Sequence, residues 1–434
     1  MKITFMGAGS TVFARNVIGD CMCVPELRDS TFALYDIDGE RLKESQTILE
    51  AMRQTKGGYG KIECYLGVEN RKEALRGADF VINAIQVGLY DPCTIIDFEV
   101  PKKYGLRQTI GDTLGIGGIM RALRPIPVMA DFARDMEEVC PDALFLNYTN
   151  PMAMLTGYML RYTGVKTVGL CHSVQVCAQH LLEGLNMPYD DLVQWKIAGI
   201  NHQAWLLEIT RDGKDLYPEI KARAAARTEK HNDMVRYEIM KRFGYYVTES
   251  SEHNAEYMPY FIKDKYPELI DRFNIPLDEY PRRCVNQIEK WGKMRQELVE
   301  KHDLTHERSK EYASRIMEAM ETNVPYKFGG NVMNTGLIPN LPAEAAVEVP
   351  CMADKSGVVP TYVGNLPPQC AALNRTNINV QLLTVEAALT LKKDYIYQAA
   401  LLDPHTASEL SIDDIVALCD DLIEAHGSWP PAYH

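Results

Sequence analysis

Lys2-Ile3-Thr4-Phe5-Met6 is a short β-type run that breaks directly into Gly7-Ala8-Gly9-Ser10, after which the pattern turns helical. Glycines at two alternate positions let the backbone turn tightly and approach a pyrophosphate, while the free N–H groups of the following helix point at its charge. The junction therefore reads as the opening of a dinucleotide-binding βαβ unit, with Gly7, Gly9 and Ser10 as cofactor-binding residues. Val12 replaces the third glycine of the usual fingerprint, so helix and strand should pack less closely there. A plain strand-to-helix turn has the same local sequence, and the neighbouring runs have to decide.

The next β-type run, Thr31 to Tyr35, ends in Asp36, 27 residues after Gly9 and somewhat beyond the roughly 20 expected for the acid that accepts from the adenosine ribose. An acid there favours NAD over its 2′-phosphorylated form, although Arg41 lies close and Asp38 competes for the same role. A further apolar run, Phe80 to Ile85, contains Asn83 and supplies the strand expected beside the cofactor. Strand and helix alternate over these first 85 residues, which predicts a parallel, doubly wound α/β sheet of the Rossmann type.

At 434 residues the chain is too long for one minimal domain, and its 46% hydrophobic and 24% charged residues can bury a large core. A net charge of −13 without any dense basic stretch argues against nucleic acid and anionic membranes as partners. No apolar run reaches the roughly 18 residues of a spanning helix, and the N-terminus enters a strand at once, so the expectation is a cytoplasmic protein. Its 11 cysteines lack Cys-x-x-Cys spacing and are expected to be reduced.

Strand-helix units continue to about residue 172, with strands at Ala143–Asn147 and Val165–Leu170 and helices near 125–140 and from Met152. Beyond Trp195 the pattern becomes antiparallel, with Asp212-Gly213 as a hairpin signal. Helical, charged sequence follows from about 219 to 325, then extended loops and short strands from Phe328 to Gln369, then helix. This suggests a dinucleotide domain over 1–195 and an interwoven α+β substrate and oligomerisation domain over 196–434, whose last helix packs back on the first.

Chemistry-bearing residues gather at strand ends. Cys171 follows the Val165–Leu170 strand, where open α/β sheets place their ligand crevice, and His202 ends the next strand-like run in the same manner. A thiolate and an imidazole so placed are an incomplete ligand set for a divalent ion; a buried cysteine and a backbone-satisfied histidine are the plainer reading. Asn150, before Pro151, is either a helix cap or a hydrogen-bond partner for a substrate hydroxyl. Gly111 to Gly118 reads as a mobile loop carrying Asp112, and Glu249, Glu252, His253 and Tyr257 cluster within one or two helical turns.

Jointly, Gly7-Ala8-Gly9-Ser10, Asp112 to Gly115, Asn147 to Pro151, Cys171-His172-Ser173-Val174, Gly199 to His202, Glu249 to His253 and Val347 to Pro350 resemble the NAD- and manganese-dependent glycoside hydrolases of family 4, most closely its α-galactosidase branch. The resemblance implies a lactate-dehydrogenase-like cofactor domain, a homodimer or homotetramer, Mn²⁺ held by Cys171 and His202, and Asn150 on the sugar. It also implies an exception to two-carboxylate glycosidase chemistry: NAD⁺ oxidises the sugar at C3, the C2 proton becomes acidic, and the glycosidic oxygen leaves by elimination. The phosphoglycosidase branch has aspartate where His172 stands. His172 thus becomes the candidate acid, with Tyr257 and then His253 as candidate bases. The main expectation is hydrolysis of small α-galactosides. A uronide-cleaving enzyme of the same family, with Arg282 or Arg283 on the carboxylate, and a 2-hydroxyacid dehydrogenase on the same fold are the alternatives.

Overall fold

A computed structural model describes residues 1–300 and 304–434, with only the backbone described over 296–300. The first six strands are β1 (Lys2–Met6), β2 (Thr31–Asp36), β3 (Lys61–Leu66), β4 (Phe80–Asn83), β5 (Leu144–Asn147) and β6 (Lys166–Leu170). They pair in parallel in the order β3-β2-β1-β4-β5-β6, the doubly wound arrangement expected from the sequence. β4 and β5 are buried at every residue, which is why they read as unbroken apolar runs. The order reverses between β1 and β4, opening a crevice at their carboxyl ends. Gly7 sits there at φ +86°, and a Cβ on it would come within 2.9 Å of the Ala84 carbonyl. Only glycine fits this approach of the two strand ends.

The sheet then continues antiparallel. The remaining strands are β7 (Val193–Ile200), β8 (Gln203–Arg211), β9 (Lys214–Asp215), β10 (Tyr246–Val247), β11 (Tyr326–Met333), β12 (Ala346–Asp354) and β13 (Gly357–Pro360). β11 pairs with β6, β12 with β11, and β7 with β12, so β6 and β7 are separated by a strand pair from far along the chain. The expected loops and short strands of 328–369 are thus 8- and 9-residue strands inside the main sheet. Burial on both faces erases the alternation that would have revealed them.

The glycine-rich stretch before Arg121 is a loop only as far as Leu114. From Gly115 it enters the helix Gly115–Leu123, buried at every position but Arg121. A Cβ on Gly117 would lie 2.3 Å from the Gly111 carbonyl oxygen, so glycine here serves close packing. The final helix, Ile412–His426, packs on the helix Ile95–Lys102. Asp97 meets Arg124 at 2.7 Å and His426 at 2.8 Å in that buried contact. Among the described residues no helix is long and apolar enough to cross a membrane.

Candidate active site

A cavity of about 580 Å³ opens at the carboxyl ends of β1, β4, β5 and β6. Ser10, Asp112, Asn150, Cys171, His172, His202 and His253 all line it, so seven of the residues singled out from sequence converge on one space. Asp36 holds the Gly7–Ser10 turn: one carboxylate oxygen accepts from Gly9 N–H at 2.6 Å, the other from Asp38 N–H at 2.9 Å. Asp38 is the N-cap of the helix Gly39–Thr55, accepting from Glu40 and Arg41. Asn83 is fully buried below the cavity and donates to Asn147 at 2.9 Å and Thr149 at 3.3 Å. It ties β4 to β5 and does not line the cavity.

Three donors cluster on the cavity wall. Cys171 Sγ, a nitrogen of His202 and a carboxylate oxygen of Glu249 lie within 4.8 Å of one another. Cys171 directly follows β6, His202 forms the β7–β8 turn at φ +63°, and Glu249 follows β10 at φ +65°. Sequence reasoning identified the cysteine and the histidine but saw Glu249 only as part of a titratable cluster. Two left-handed backbone residues bring the carboxylate to the imidazole, 3.3 Å away, and such conformations carry no sequence signature outside glycine. Burial lowers the His202 pKa, which favours the neutral, ligating imidazole. Glu249 is held at about 2, because His202 and His253 outweigh its burial.

Tyr257 stands behind this cluster. It is 1% exposed, with its hydroxyl 3.0 Å from His202 Nδ1, and it does not line the cavity. Its geometry is that of a group orienting the His202 ring from behind the cavity wall. His253 does line the cavity, hydrogen-bonded to Ser250 at 2.7 Å and 3.8 Å from Asp112. His172 sits half-exposed at the rim with Nε2 2.7 Å from Glu311. Burial lowers its pKa, but the Glu311 hydrogen bond and charge win and raise it. Arg283 lines the cavity yet is spent on Glu279 and Glu252, while Arg282 pairs outside with Glu279.

Glu348, in the Val347–Pro350 motif, was given no role from sequence. It is 1% exposed on β12 and accepts from Asn331 at 2.9 Å. Burial pushes its carboxyl up to about 7. A carboxyl raised in the fold stabilises below its unfolded value, and that contribution is lost as pH rises from about 4.5 through 7. Glu348→Gln is therefore expected to match the parent near pH 4 but to gain up to about 3 kcal/mol over it at pH 8. Urea unfolding at the two pH values checks this, and an equal effect at both would refute it.

Two family models match the chain: Family 4 glycosyl hydrolase over residues 2–187 and its C-terminal domain over 197–406. A Bacillus subtilis protein called alpha-galactosidase is 64% identical, covering 100% of this chain and 99% of its own. An alpha-galacturonidase of the same organism is 28% identical over 98% and 97%. The solved 6-phospho-beta glucosidase of Thermotoga maritima, which holds manganese, NAD⁺ and glucose-6-phosphate, superposes with a TM-score of 0.79 at 22% identity over all of both chains. The order of the six parallel strands, the donors at the end of β6 and these matches lead to one assignment: the chain belongs to glycoside hydrolase family 4.

Proposed function

We propose that the protein hydrolyses small α-galactosides, using NAD⁺ and a divalent ion of the manganese class. The cluster of Cys171, His202 and Glu249 beside the dinucleotide crevice carries this reading. The 64% identity to an alpha-galactosidase supports the choice of sugar. Assembly into two or four copies and a cytoplasmic setting belong to the same proposal.

The residues fit both groups. Ser10 makes no side-chain cap and the first turn of the helix Thr11–Met22 has no acid, so its N–H groups remain free for a pyrophosphate. A sulfur, an imidazole nitrogen and a carboxylate oxygen at this spacing suit one divalent ion, with room left for sugar oxygens. When bound, the dinucleotide supplies a hydride acceptor and the ion a Lewis acid.

The chain's own residues do the rest. Tyr257 fixes the ring of His202 through Nδ1, leaving Nε2 on the Glu249 side. Asn150 offers its amide to a sugar hydroxyl. His253, between Ser250 and Asp112, takes and returns the proton from the sugar carbon, since Tyr257 is set too deep to do so. His172, held by Glu311 at the half-exposed rim, donates to the departing oxygen. Of the two arginines expected to meet a uronide carboxylate, Arg283 already answers Glu279 and Glu252, and Arg282 pairs with Glu279.

A panel of aryl α-galactoside, α-glucoside, α-glucuronide and α-galacturonide with NAD⁺, Mn²⁺ and a thiol tests the reading. Galactoside cleavage without net NADH, with solvent deuterium entering at C2, is the expected result. Preference for a uronide, or steady NADH formation from a hydroxyacid, would replace it.

A further inference from the structure

Three consecutive backbone N–H groups converge on one buried side chain. Glu256 Oε2 lies 2.9 Å from Thr109 N and Oε1 lies 2.7 Å from Gly111 N, with Ile110 N 3.3 Å from both. Gly111 is left-handed at φ +56°, and successive N–H groups in such a turn make a concave anion site. The carboxyl filling this one is internal and 3% exposed, and burial pushes it up to about 7 against the pull of the N–H groups. Thr109 adds a second tie, donating its hydroxyl to the Glu252 carbonyl at 2.6 Å. The same segment is gripped from its other side, where Asp278 and Tyr280 donate to the carbonyls of Gln108 and Thr109.

The two partners of this clamp each carry a cavity residue. Asp112 follows the nest directly, and His253 lies one helical turn before Glu256 on the helix Ser251–Glu256. Their side chains face one another at 3.8 Å across the cavity wall. A buried carboxyl is costly unless it is hydrogen-bonded, and the three successive backbone groups offset that cost only while this loop keeps its place. We propose that Glu256 is a positioning residue whose carboxylate locks the Asp112 loop to the His253 helix and so sets the spacing of those two groups. The chemical importance of that spacing rests on the function proposed above; the clamp itself does not.

Glu256→Gln tests it, because the amide keeps the volume but turns an NH₂ toward N–H donors. Hydrogen exchange of the free full-length protein should speed up by about 10-fold or more in the peptide spanning 107–114. With NAD⁺ and Mn²⁺ bound, kcat on an aryl α-galactoside should fall by about 30-fold while KM stays within about 3-fold. Joined to Asp112→Asn, the substitution should cost no more than Asp112→Asn alone, within about 2-fold. Glu256→Asp, one methylene short, should move every reading in the same direction if the Gln variant folds poorly. Unchanged exchange, losses that multiply in the double variant, or Asp112→Asn at the parent rate would each overturn the proposal. A parent protein inactive on the galactoside would defeat the proposed substrate instead, leaving the exchange measurement to decide the clamp.

Discussion

Cys171→Ala is expected to lower kcat/KM on an aryl α-galactoside by about 1,000-fold or more, a loss of roughly 4 kcal/mol of transition-state stabilisation. The alanine removes one of three donors, and Glu249 and His202 alone form a weaker, more open site. Burial, with Glu348 and Glu249 nearby, pushes the Cys171 thiol well above its usual value in the metal-free protein. A divalent ion must therefore displace a proton to bind sulfur, and metal uptake should release acid. Dinucleotide affinity should stay within about 2-fold, because the Gly7–Ser10 turn and Asp36 are untouched. Bound-metal analysis and NAD⁺ titration of parent and variant separate the two effects. An alanine variant that cleaves sugar at the parent rate after treatment with chelator would end the metal reading.

Asp97→Ala should be the most damaging single substitution outside the cavity, at about 3–5 kcal/mol of stability. Arg124 and Asp97 are both almost fully buried, joined through two hydrogen bonds of 3.0 and 2.7 Å, and His426 meets the same carboxylate. Removing the acid strands a guanidinium in the interior. Burial alone would raise the Asp97 pKa, but His426 and Arg124 reverse this and hold it below the ordinary carboxylate value. A depressed carboxyl stabilises above its unfolded value near 3.8 and loses that contribution as pH falls below it. The parent should therefore lose stability below about pH 4 through this group, while the variant lacks that component. Urea midpoints at pH 7 and pH 3.5 test both statements. Replacing Asp97 and Arg124 together by apolar residues should cost far less than Asp97→Ala, because no charge is left behind.

The parallel half of the fold is legible because its strands are apolar runs punctuated by glycine and polar caps, as in Met6-Gly7 and Leu170-Cys171. β3 is harder to see: an edge strand, Lys-Ile-Glu-Cys-Tyr-Leu, whose only signal is weak alternation. β11 and β12 are harder still, since Gly329, Gly330 and Pro350 mimic loop composition in the buried stretches of these strands. At the site, Cys171 and His202 stand out because both occupy strand ends. Glu249 does not, since its placement depends on backbone angles at two residues. Asn83 and Tyr257 show the converse error. Both have the right chemistry near the right place in sequence, but β4 and the buried face of His202 take them out of reach of a ligand.

Because the β11–β12 pair wedges between β6 and β7, the donors at positions 171 and 202 cannot assume their final spacing until a segment about 150 residues later has been made and inserted. A nascent chain emerging to residue 320 would hold every proposed metal ligand and yet lack the floor on which they assemble. Metal capture should accordingly be a late event of biosynthesis. Truncation before Ala346 should abolish it even though no ligand has been removed.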